Sequence, residues 1–218
     1  MKKIRVLLVD DHRLVREGLS SLLASYETIE VVGEAANGRQ AIKMAENLRP
    51  DVIVMDIAME EMNGIEATRK IGELCPDCKV VMLSMHATAE YIHNSFNAGA
   101  SGYLLKESAG QEVLEAITIV HRGRKFLSHR LSETLAGEML LDGKKAHAEG
   151  PIQSLSPRER EIVQLVVEGK SSSEIADILF LSVKTIESYR SRLMKKLGTP
   201  NIPSLVKFAI KHGLTPLE

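Results

Sequence analysis

Residues 4–19 read "IRVLLVDDHRLVREGL". A largely apolar run of strand length stops at two adjacent carboxylates, Asp10 and Asp11, and a helical pattern begins just beyond them. Leu14, Val15, Gly18, Leu19, Leu22 and Leu23 fall on one face of that pattern at 3.6-residue spacing. Working outward, the same alternation repeats. The runs "IEVVGEA", "DVIVMD", "KVVMLS" and "GYLLK" follow, with helical patterns between them, such as Ala41, Ile42, Ala45 and Leu48 on one face. Strands alternating with amphipathic helices predict an α/β unit with a doubly wound, five-stranded parallel sheet and right-handed crossovers.

In such a sheet, ligands gather beyond the C-terminal strand ends, where the strand order reverses. The polar residues at those ends are Asp10 and Asp11, Asp56, Ser84 and Lys106. Three carboxylates so close repel one another, and a hard cation among them relieves the repulsion. Mg²⁺ suits the place, because it binds through one or two carboxylates and leaves room for water and phosphate oxygens. Asp56 then becomes a nucleophile for a phosphoryl group, with Lys106 and Ser84 placed to meet the charge on the transferring oxygens. A lone Asp at a strand end is ordinarily a cap or turn residue. The matching polar residues on successive run ends argue for a site.

The chain has 218 residues, 44% hydrophobic and 26% charged, as ordinary globular proteins do. No run approaches the roughly 18 apolar residues of a membrane span, so a cytoplasmic protein with no membrane partner is expected. Its net charge of -1 hides an asymmetry: residues 151–218 carry ten Lys/Arg against seven Asp/Glu, and the preceding residues 18 against 22. The basic end points to an acidic partner. The two cysteines sit in "CPDC", residues 75–78. That pair follows a helical pattern and precedes a strand, which is the reverse of a redox dithiol's setting, and it reads as a loop.

After Gly123 the pattern changes. "SHRLSETLAGEMLLDG", residues 128–143, is compatible with one helix, and "GKKAHAEGPIQS" is polar and linker-like. The expected division is 1–123, a linker over 124–152 and a second domain over 153–218. The last part is written in four helices, about 157–168, 172–180, 183–197 and 202–212. Ser156-Pro157-Arg158-Glu159 combines an N-cap serine, a proline at the first helical position and a capping-box glutamate, and Ser171 with Glu174 repeats the box. The helices over 172–180 and 183–197 are joined by a tight turn near Phe180 to Ser182. In the latter, Ile186, Leu193 and Leu197 share one side, and Lys184, Glu187, Ser188, Ser191, Arg192 and Lys195 the other. Lys184–Lys196 holds five basic residues against one acidic, a face suited to a phosphate-lined groove.

Through "LLVDDH", "DVIVMDIAMEEMNGIEA", "VVMLS" and "GYLLK", residues 4–121 resemble a bacterial response-regulator receiver domain, whose fold is flavodoxin-like. Through "LSPREREIVQLVVEGKSSSEIADILFLSVKTIESYRSRLMKKLG", residues 153–216 resemble a LuxR-type helix-turn-helix domain. Together they are similar to the NarL/FixJ class of two-component transcription regulators. The resemblance implies that Asp56 accepts a phosphoryl group from a sensor histidine kinase. It implies Mg²⁺ held by Asp11, Asp56 and the Ala58 carbonyl, with Asp10 acting largely through water. Ser84 would move onto the phosphoryl group while Tyr103 turns inward. Glu187, Ser188 and Ser191 take base-reading places on double-stranded DNA, and Lys184, Thr185, Tyr189, Arg192 and Lys195 hold phosphates. A homodimer formed on phosphorylation and contact with RNA polymerase complete the partners. The chain departs from the pattern at Glu60, where many members carry Pro, and at Tyr189, where many carry His. His86, two places beyond Ser84, is positioned to influence phosphate lifetime. Such a protein is a regulator, not an enzyme. Two rival readings are an aspartyl-phosphate phosphatase, whose haloacid-dehalogenase type has a second Asp where this chain has Ala58, and a protein-binding adaptor.

Overall fold

The computed structural model describes residues 2–132, 154–211 and 214. The chain divides into two compact units, residues 1–143 and 144–218, each taken by itself below.

In the first unit the elements alternate as β1 (Ile4–Val9), α1 (Arg13–Ala24), β2 (Ile29–Ala35), α2 (Gly38–Leu48), β3 (Val52–Asp56), α3 (Gly64–Leu74), β4 (Lys79–Ser84), α4 (Ala89–Asn97), β5 (Gly102–Leu105) and α5 (Ala109–His121). All pairings are parallel, in the order β2-β1-β3-β4-β5. The strands lack a simple polar alternation because both sheet faces are covered. Val6, Leu8, Val52 and Val54 enter one core with Leu19 and Leu23 of α1 and Val113, Ile117 and Val120 of α5. Leu7, Val9, Ile53 and Met55 enter the other with Ala41 and Ala45 of α2, Ile65 and Ile71 of α3, and Ile92 of α4. Asn37 and Asn63 accept from Gln40 N and Glu66 N, both at 2.9 Å, and fix where α2 and α3 start.

The sheet has six strands, not the expected five. β6 (Phe126–Leu127) pairs in parallel with Gly102 and Tyr103, and Ser128 N donates to Tyr103 O at 2.9 Å. Leu131, fully buried, joins the same core as Tyr103. Residues 126–132 thus pack on the first unit, although the sequence placed them in a linker. The physical reason is plain: a two-residue strand shows no periodicity, whereas the open edge of β5 offers unpaired backbone groups to any passing chain. Of the helix expected over 128–143, residues 129–132 are helical, and the rest lies outside the described residues. "CPDC" sits between α3 and β4, where Cys78 Sγ donates to Pro50 O at 3.0 Å. Burial first, and Cys75 next, push the Cys78 thiol up to about 11, which suits an inert loop residue.

The second unit is helical: α6 (Pro157–Val167), α7 (Ser172–Leu179), α8 (Val183–Leu197) and α9 (Ile202–Lys211). Both capping boxes form, at Ser156/Glu159 and Ser171/Glu174. Ile162, Val163, Leu165, Ile175, Ala176, Ile186, Leu193, Leu205 and Ala209 make the core. α7 stops where Phe180 takes a left-handed conformation, and Ser182 accepts from Thr185 N to begin α8. Among the described residues no helix is long and apolar enough to cross a membrane.

Candidate functional site

The reversal of strand order falls between β2-β1 and β3, so β1 and β3 deliver Asp10 and Asp56 to one crevice. Asp10, Asp56 and Ser84 are buried, each about 1% exposed, which is far from water for side chains of this polarity. Lys106, just past β5, reaches over to place Nζ 2.8 Å from Asp10 Oδ2 and 2.9 Å from Asp56 Oδ2. Burial pushes the Asp56 carboxyl up to about 7, and the Asp10 charge adds to the shift. Lys106 and the Ala58 amide offset part of it. Burial alone would depress the Lys106 ammonium, but Asp56 and Asp10 outweigh it and raise its pKa.

One cation is therefore not enough for this pocket. Asp56 Oδ1 is buried without a well-formed hydrogen bond, and such an oxygen is costly unless an ion or donor meets it. Ligand atoms of Asp10, Asp11, His12 and Asp56 lie within 4.8 Å of one another, a spacing that fits one divalent ion. The donor set is three carboxylates with the half-buried Ala58 beside them, and it suits Mg²⁺. His12 went unremarked in the sequence: its Nδ1 lies 2.6 Å from Asp11 Oδ1 and 3.2 Å from Asp10 Oδ1. Its place directly after the acidic pair was the only signal available. Backbone geometry holds the crevice from below. A Cβ on Gly64 would lie 2.0 Å from the Asp56 carbonyl oxygen, so only glycine lets α3 start this close to the end of β3. The intervening loop turns at Glu61, which has a left-handed φ of 62°, while Glu60 is exposed.

Ser84 Oγ accepts from His86 N at 3.0 Å at the end of β4. Tyr103 is fully buried and donates its hydroxyl to His86 O at 2.8 Å. The inward position that the resemblance attached to phosphorylation is the one present here. The His86 ring stacks on Tyr91 of α4, with centroids 4.7 Å apart and planes 12° from parallel. Ser84, His86, Tyr103 and Tyr91 thus form a continuous chain from the acidic crevice to α4.

In the second unit, α8 buries Ile186 and Leu193 and presents Lys184, Glu187, Ser188, Ser191, Arg192 and Lys195 outward, as its spacing predicted. Three of the five basic residues make contacts within the fold: Arg190 Nη1 donates to Ser172 Oγ at 2.9 Å, Lys196 Nζ pairs with Glu159 at 2.9 Å, and Arg192 Nε donates to Ser188 O at 3.4 Å. Thr185 is half-buried, with Oγ1 2.8 Å from Ser182 Oγ. The Tyr189 ring is half-buried against the core, and the Arg192 guanidinium lies 4.8 Å from its centroid.

A doubly wound unit with a buried acidic crevice, joined to a helix-turn-helix unit with a basic outer face, defines a DNA-binding regulator governed by a receiver. The comparisons agree. Residues 6–118 match the response regulator receiver domain, and residues 153–209 match the bacterial regulatory proteins of the luxR family. The response regulator UvrY of Escherichia coli K12 is 40% identical over 215 residues, covering 99% of this chain and 97% of UvrY. Among solved structures, RcsB of Salmonella typhimurium has a TM-score of 0.65 at 26% identity, covering 97% of this chain and 99% of RcsB. An RcsB–DNA complex has a TM-score of 0.59 at 27% identity with the same coverage. The chain belongs to the two-component response regulators of the NarL/FixJ type, a family of phosphorylation-dependent transcription regulators rather than enzymes.

Proposed function

We propose that Asp56 is the phosphoacceptor and that its phosphorylation raises DNA binding by α8. The carrying observation is the buried Asp56 carboxylate, with one oxygen 2.9 Å from Lys106 Nζ and the other without a well-formed bond. An Asp56 oxygen attacks the phosphorus of a sensor kinase's phosphohistidine. The P–N bond breaks, and the imidazole leaves with a proton. Lys106 meets a phosphoryl oxygen, and Ser84 donates its hydroxyl to another. Asp11, Asp56 and the Ala58 carbonyl would hold Mg²⁺, with Asp10 acting through water. When bound, that ion supplies the positive charge that keeps Asp56 ionised and offsets charge on the phosphoryl oxygens.

The conformational equilibrium then shifts along Ser84 and Tyr103. A homodimer forms and sets two copies of α8 on two half-sites of double-stranded DNA. Glu187, Ser188 and Ser191 face the base edges, and Lys184, Thr185, Tyr189, Arg192 and Lys195 hold phosphates. The RcsB–DNA complex supports this use of the second unit. We place the receiver in residues 1–123, continued by the edge strand β6, and the DNA reader in residues 153–218, with a linker between them. We further place the protein in the cytoplasm, with RNA polymerase as an additional partner. The test is Asp56→Ala in a DNA-binding titration with and without a phosphodonor. Loss of the phosphate-stimulated increment is expected, and an undiminished increment would refute the coupling.

A further inference from the structure

Phe180 occupies a place where the fold offers it nothing. It stands at the end of α7 with φ 54° and ψ 46°, the left-handed region. Leu181 N donates back to Ala176 O at 2.9 Å, so the turn is a Schellman motif in the position where glycine is usual. A phenyl-bearing residue is strained there, and its side chain is 93% exposed, the most exposed large apolar group among the described residues. The strain and the exposure both weigh against phenylalanine at this point, and no packing in the second unit recovers either. An outlier of this kind asks for a partner outside the domain.

Its surroundings say which partner. Two residues on, Ser182 caps α8, and Val183, the first residue of that helix, is also exposed at 42%. Lys184 follows, exposed and cationic. The turn thus brings two exposed apolar residues, Phe180 and Val183, to the N-terminal end of α8, with Lys184 next in sequence, at the end that leads a recognition helix into the major groove. Apolar side chains there meet thymine methyl groups or deoxyribose, the apolar parts of a surface otherwise made of phosphate and base edges.

We infer that Phe180 is an apolar contact to duplex DNA, packing on a thymine methyl or sugar at the edge of each half-site. This rests on the reading that α8 enters DNA. The contact adds affinity without adding charge, which separates it from every basic residue on α8. It also accounts for the strained turn, since the same backbone conformation that disfavours phenylalanine points its ring away from the domain.

The test uses the full chain, a phosphodonor and a duplex enriched from a random-sequence pool by the wild-type protein. Phe180→Gly suits the left-handed turn, so it should resist urea at least as well as wild type. It should nonetheless bind the duplex roughly five- to tenfold more weakly, as expected for loss of a buried apolar contact, with an unchanged salt dependence. Phe180→Asn, which also tolerates the turn, should behave alike. Replacing each thymine by deoxyuridine should weaken wild type at one position in each half-site, and Phe180→Gly should not respond there, if the methyl is the contact. If no position responds while the affinity loss stands, the sugar is the contact. Equal affinity of wild type and Phe180→Gly would overturn the inference. So would unchanged DNA binding with reduced transcription by added RNA polymerase, which would make the ring a protein contact. Failure of wild type to enrich any duplex would instead sink the DNA reading itself.

Discussion

Asp56 should make the metal-free protein less stable as pH rises. Its carboxyl titrates near 7 in the folded chain, against an ordinary 3.8, mainly because it is buried and faces Asp10. Between those values the folded state holds a proton that the unfolded state has released, so stability falls with pH across that window and levels off above it. The interval, at about 1.4 kcal/mol per pH unit, amounts to about 4 kcal/mol. Asp56→Asn removes the titrating charge and keeps the shape. Its stability relative to wild type should therefore grow by about 4 kcal/mol from pH 4 to pH 8 in chelator. Hydrogen exchange of the β3 amides reads this directly, because it reports the opening of the first unit without interference from the second. With excess Mg²⁺ the advantage of asparagine should shrink, since the wild-type carboxylate then has a cation beside it. A difference between the two proteins that stays flat across the pH range would refute the argument that burial and like charge govern this site.

Other perturbations follow from the same geometry. Gly64→Ala would drive a Cβ to 2.0 Å from the Asp56 carbonyl oxygen; urea unfolding should show a loss of about 1–3 kcal/mol or more, with slower phosphoryl uptake. Tyr103→Phe deletes the 2.8 Å bond from the buried Tyr103 hydroxyl to the His86 carbonyl. It should cost about 1 kcal/mol in thermal unfolding and reduce phosphate-stimulated DNA binding more than it reduces phosphorylation. Lys184→Ala should lower the slope of log affinity against log salt by about 0.9 and weaken all duplexes alike, whereas Glu187→Ala should change base preference at one position with little effect on the slope.

The acidic crevice was legible because its chemistry sits at strand ends, and a strand end is marked in sequence by an apolar run stopping. Asp10, Asp56, Ser84 and Lys106 could be gathered on that basis, since parallel topology brings such ends together. What resisted reading was whatever depends on neighbours rather than on period. β6 is two residues held by an edge that only the finished sheet presents. His12 is tied to Asp11 by a side-chain rotation that spacing does not encode. Tyr189 was given a phosphate by resemblance alone; its helical angle sets it beside Ile186 and Leu193, and its ring packs on the core and under Arg192. Helix limits in the second unit were readable to within a residue or so because Ser156, Ser171 and Ser182 cap by local hydrogen bonds to residues three places on.

The proposed signalling turns on one carboxylate, at the end of β3, taking up phosphorus. Intact-mass and peptide mass spectrometry of the full chain, incubated with a small-molecule phosphodonor and Mg²⁺, measures it most directly. One acid-labile phosphoryl group is expected, carried on the peptide containing Asp56 and absent from Asp56→Asn and from samples treated with chelator. A phosphoryl group found elsewhere, or one equally abundant in Asp56→Asn, would contradict it.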